Sequence, residues 1–117
     1  MAATATRVTT ITYSGDTVGT QTISAASNAA SPASVEIKTL ASGFNSITVP
    51  TGGATVTGCT IVPPTGNTTN ITLKGVTGDT GIQLHDTDPS SISIDSSVTA
   101  IGLTAAAQIT GVRLYWT

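Results

Sequence analysis

Apolar and polar positions alternate through most of the second half of the chain. In NITLKG, Ile71 and Leu73 share one side, with Thr72 and Lys74 on the other. GIQLHD sets Ile82 and Leu84 against Gln83 and His85, and SISID repeats the alternation with Ile92 and Ile94. GVRLYWT places Val112, Leu114 and Trp116 on one face and Arg113 and Tyr115 opposite. A period of two with one apolar face marks antiparallel strands packed on one side. In SVTAIGLTA the period slips, because Val98 and Ile101 stand three apart. A bulge there is predicted to return Ile101 and Leu103 to the inner face.

Upstream, SVEIKTL and NSITVP are joined through ASGF and read as a hairpin. ATVTGCTIV follows and stops at Pro63-Pro64, which cannot continue a ladder. Helical spacing is nearly absent. The predicted fold is all-β: an antiparallel β-sandwich or jelly-roll-like barrel of about eight short strands from Val35 onward. Its expected core includes Ile37, Phe44, Ile47, Ile61, Leu73, Ile82, Ile101, Leu114 and Trp116.

Residues 1–34 have a different character. TRVTTITYSGDTVGTQTIS reads as a strand, a turn at Ser14-Gly15-Asp16 and a second strand, and SAASNAASPAS as a linker. An isolated hairpin is marginal in water. The expected organisation is therefore an N-terminal β-hairpin arm with its linker (1–34), docked on a neighbouring subunit, and a sandwich body (35–117). The arm residues expected at that interface are Arg7, Val8, Ile11, Tyr13, Val18 and Ile23.

Charge is scarce. Four basic and six acidic residues make 9% of the chain and a net charge of −2, against about a quarter in ordinary soluble domains. Thr, Ser, Gly and Ala supply the bulk instead, and charge depletion is a property of protein interfaces. The scattered basic residues argue against nucleic acid, which needs clustered Lys and Arg to displace counterions. No apolar run approaches the roughly 20 residues of a membrane span. MAATATRVTT lacks the apolar core of a signal peptide, which predicts assembly without classical secretion. The single Cys59 excludes an intrachain disulfide and an all-cysteine zinc site, and reads as a small core residue.

Three constellations carry possible chemistry. Asp79-Thr80-Gly81 matches the aspartic-protease triplet, but Thr77-Gly78 precedes it where an apolar pair belongs, and Ile82 follows in place of a small residue. Ala100-Ile101-Gly102 stands only some twenty residues on, too close to leave room for a flap. The glycines of GVTGDTG suit a turn between two strands instead. Asp86 and Asp88, beside His85, resemble a fragment of a cation site, though Asp and Pro also favour turns. Asn67-Thr68-Thr69 and Asn70-Ile71-Thr72 match the glycosylation sequon as products of a Thr-rich chain. A sugar-binding platform needs exposed aromatic rings, and Trp116 sits on an apolar face. The expected catalytic, metal and cofactor complement is none.

The stretch NSITVPTGGATVTGCTIVPPTGNTTNITLKGVTGDTGIQL and the ending ITGVRLYWT resemble small accessory virion proteins of tailed bacteriophages. These are capsid decoration (cement) proteins and small tail or fibre components. The resemblance covers most of residues 35–117. It implies a non-enzymatic structural β-domain of the virion, commonly trimeric, assembled in the host cytoplasm and clamping major capsid protein or tail subunits. The alternatives are a receptor- or glycan-binding sandwich and, more remotely, a dimeric aspartic protease.

Overall fold

The alternating runs do form strands, and they stack as two facing sheets. A computed structural model of the chain describes residues 5–6, 9–13, 21–25, 29–30, 34–50 and 56–117, with side chains from Val35 onward. Its strands are β1 (Ala5–Thr6), β2 (Thr9–Tyr13), β3 (Gln21–Ala25), β4 (Ala29–Ala30), β5 (Ser34–Leu40) and β6 (Gly43–Thr48). They continue with β7 (Gly58–Val62), β8 (Ile71–Lys74), β9 (Ile82–Gln83), β10 (Ser90–Ser93), β11 (Ala100–Ala105) and β12 (Ile109–Trp116). No helix occurs among the described residues.

Strands β5 to β12 make two four-stranded antiparallel sheets, ordered β10-β7-β12-β5 and β6-β11-β8-β9. The chain changes sheet at every step except β8 to β9. This alternation between two sheets of four is the connectivity of a jelly roll. The sequence expectation of an all-β sandwich with jelly-roll character therefore holds. In the arm, β2 and β3 pair from Thr9↔Ala25 to Tyr13↔Gln21, as the hairpin reading requires. The predicted Ser14–Asp16 turn lies outside the described residues. Ala29–Ala30, expected to be linker, pairs with Ala5–Thr6. Among the described residues, neither arm ladder joins a four-stranded sheet.

Sheet register decides what is buried. Across β10, β7 and β12, Ile92, Cys59 and Trp116 form one inward row, and Ile61 pairs with Leu114 in the next. Opposite them stand Ile47, Ile71, Ile101 and Leu103 of the other sheet, and all but Ile92 of these residues are buried. Each large aliphatic side chain withdrawn from water contributes about 1.5–3 kcal/mol.

Four expectations need correction. SVEIKTL and NSITVP do not pair: β5 and β6 belong to different sheets, and Ala41–Ser42 is a corner between them. Asn45 holds that corner, its Oδ1 accepting from Ala41 N at 3.0 Å and its Nδ2 donating to Ala41 O at 2.9 Å. No bulge is needed at Val98, because β11 starts only at Ala100 and Val98 lies in the preceding turn. The bulge falls in β12, between Ile109 and Val112. Gly111 there has φ +86°, a left-handed conformation that side chains disfavour, and the extra residue keeps both Ile109 and Val112 inside. Ile37 and Ile82 are exposed (73% and 67%) rather than core. Strand parity turns Ile37 outward, and β9 is a two-residue edge too short to cover Ile82. Phe44 is half-buried on the outer face, where its ring occupies the space above Gly102.

A Cβ at Gly102 would collide with the Phe44 ring and stand 2.9 Å from Lys74 O. Gly102→Ala is expected to cost about 1–3 kcal/mol in urea unfolding. Phe44→Leu in the Gly102→Ala background recovers part of that loss, since it relieves one of the two collisions. Additive losses in the double variant would contradict the close approach.

Candidate functional site

Each sequence-flagged carboxylate or imidazole lies in a loop, and each loop has a local reason for its shape. Between β8 and β9, Asp79 Oδ2 accepts from Gly75 N at 3.0 Å and Val76 N at 2.9 Å, and Asp79 N donates to Val76 O at 3.1 Å. The carboxylate closes the turn on its own backbone, as Asp does in such turns. Asp79 is exposed, so the Asp-Thr-Gly triplet here is a turn of the GVTGDTG loop.

His85 organises the loop between β9 and β10. Its Nδ1 accepts from Asp88 N at 2.9 Å and Thr87 N at 3.2 Å. An imidazole nitrogen that accepts is unprotonated, so the proton of the neutral ring sits on Nε2. Asp88 Oδ2 lies 3.7 Å from the same Nδ1, while Asp86 is half-buried and presents its backbone carbonyl to Asn67 Nδ2 at 2.8 Å. Asn67 Nδ2 also reaches Thr69 O at 2.9 Å, so its amide ties two loops together. His85 and Asp88 are thus neighbours. No group of three potential metal ligands forms among the described residues.

Between β10 and β11, Asp95 Oδ1 accepts from Ser97 Oγ at 2.6 Å and Ser97 N at 2.9 Å. The Ser97 hydroxyl first, and its amide second, hold the Asp95 carboxyl below its ordinary value of 3.8.

Two grooves open beside these loops. One, of about 620 Å³, lies between the sheets and is lined by Leu73, Ile82, Ile92, Ile94, Val98 and Ile101, with Lys74 and Asp79 also in its wall. The other, of about 590 Å³, is framed by Asn67, Gln83 and the His85 loop. Neither groove is lined by a Phe, Tyr or Trp ring among the described residues. Trp116 is fully buried, and Tyr115 is half-buried on the outer face.

The surface that sequence reading missed is β5. Its partners on β12 fix its faces: Glu36 pairs with Leu114 and Lys38 with Val112, both fully buried, so the two charged residues point inward. Val35 and Ile37, opposite Tyr115 and Arg113, point outward and are 58% and 73% exposed. The available signal was Leu40, buried at the strand's end, whose even parity places Glu36 and Lys38 on its own side. Of the expected interface residues, Arg7, Val8 and Val18 lie outside the described residues. Ile11, Tyr13 and Ile23 lie in β2 and β3, their side chains not described.

No helix among the described residues is long and apolar enough to cross a membrane. The chain matches no protein-family model, no curated protein and no solved structure.

The Asp95 shift carries a pH dependence whose sign follows from linkage. A depressed carboxyl stabilises the fold above its unfolded value and loses that contribution as pH falls through the folded midpoint. Titration of the Asp95 carboxyl carbon by NMR should give a midpoint below 3.8, and Ser97→Ala should raise it. An unchanged midpoint in Ser97→Ala would remove the Ser97 hydroxyl as the cause.

Proposed function

We propose that this protein is a structural subunit of a virion, a jelly roll that decorates and reinforces a bacteriophage capsid through β contacts with its neighbours. The single observation that carries the reading is β5, an edge strand that turns Val35 and Ile37 to solvent. Exposed apolar side chains on an edge strand favour association with another protein surface. The jelly-roll connectivity adds fold-level analogy, since viral capsid and lectin domains both use it. The sparse charge agrees, because buried interfaces strand few unpaired charges when few are present. Residues 1–34 serve as the anchor, adding strands to a neighbouring sheet.

The test is stoichiometric. Shells assembled from the major capsid protein of the same genome are mixed with the purified chain and sedimented. Saturable co-sedimentation in a fixed ratio to capsid protein is expected, with loss of binding when residues 1–24 are deleted. No co-sedimentation at any ratio would remove the capsid reading. Full occupancy by the truncated chain would remove the anchor.

A further inference from the structure

Strand β5 is seven residues long, ends its sheet, and has no partner strand on its free side among the described residues. An unpaired row of backbone amides and carbonyls of this length is a template for a further strand. An inward charge that an arriving strand cannot match is one device that protects such edges. Here two such charges alternate. Glu36 and Lys38 sit on the inner side with Nζ 3.5 Å from Oε2, and their side chains are only 30% and 43% exposed. Glu36 Oε2 is itself buried and has no hydrogen-bond donor among the described residues.

We propose that the free edge of β5 pairs with β5 of a second copy of this chain, antiparallel about a two-fold axis at Ile37. Ile37 is the middle residue of Ser34–Leu40, so this register uses the whole strand. It sets Glu36 opposite the second copy's Lys38, and Lys38 opposite the second copy's Glu36. Each Glu36 carboxylate, already 3.5 Å from Lys38 Nζ of its own strand, then gains a second ammonium across the new ladder, and opposite charges facing each other stabilise such pairs. On the outer face, the two Ile37 side chains meet and Val35 faces Thr39. Shifting the axis to Glu36 or Lys38 places like charges directly opposite, which destabilises the pair. A strand of another protein would need its own Lys and Glu at matching positions. The second copy supplies both by symmetry, which is what an isologous contact requires. The result is a continuous eight-stranded sheet and a closed dimer. This inference goes beyond the virion reading and does not depend on it.

The test is sedimentation velocity from micromolar to millimolar protein, with thermal unfolding to verify that each variant folds. The full chain is expected to dimerise. Glu36→Lys leaves two lysines on each strand and Lys38→Glu leaves two glutamates, so each alone should weaken dimerisation by at least about tenfold, or 1.4 kcal/mol. Mixing the two single variants should restore a heterodimer, and Glu36→Lys with Lys38→Glu in one chain should restore the homodimer. The proposal is overturned by a monomer at every concentration, by a trimer indifferent to these changes, or by single variants that dimerise as before. A monomer whose β5 amides resist hydrogen exchange would likewise overturn it, by showing the edge covered from within its own chain. Charge variants that lose the dimer yet still co-sediment with capsid shells would leave the structural role standing and separate it from the pairing.

Discussion

Register around β12 is the constraint on which the rest of the body depends. This strand lies between β5 and β7 and contributes Ile109, Val112, Leu114 and Trp116 to the core. Side chains alternate with a period of two, so one residue of slippage would expose every one of these groups. The bulge at Gly111 makes the pattern possible, because Ile109 and Val112 are three apart and could not otherwise share a face. Once Leu114 and Trp116 point inward, Ile61 and Cys59 on β7 must follow, and so must Glu36 and Lys38 on β5. The inward charges of the edge strand are thus a consequence of how the central strand is locked.

This also accounts for what could be read from the sequence. The alternation of Ile71 with Leu73, of Ile92 with Ile94, and of Leu114 with Trp116 was visible, because those strands bury one face and solvate the other. The buried Cys59 and Trp116 were legible for the same reason. Ile37 reads as core because apolar character alone suggests an inward side chain, whereas on β5 parity overrides character. Which strands are neighbours was not legible either. Short connections suggest hairpins, yet the Ala41–Ser42 corner carries the chain from one sheet to the other, held by a side chain, Asn45, that no periodicity reveals. The loop chemistry was half legible. Asp79 and Asp86 could be named as turn formers, but the acceptor role of His85 Nδ1 appears only once the loop folds back upon it.

Asp79, Asp95 and His85 share a theme. All three are exposed, and all three direct their acceptors to backbone amides two to four residues away in sequence. In a chain with six acidic residues and one histidine, this commits much of the titratable chemistry to shaping turns. The broad faces carry hydroxyls and rings beside their few charges: Thr60 and Ser91 are linked at 2.7 Å on one sheet, and Phe44 lies over Gly102 on the other.

A surface of this kind has little long-range field with which to steer a partner. Charge complementarity in most complexes acts at a distance, raising the encounter rate and rejecting wrong partners before contact. Here the discriminating charges, Glu36 and Lys38, lie two residues apart on one strand and nearly cancel beyond it. In the proposed β5 pairing they act only at contact, once two strands are laid side by side, and then they report on register alone. Such recognition discriminates best where strands already meet at high local concentration, because alignment then limits the outcome more than encounter does.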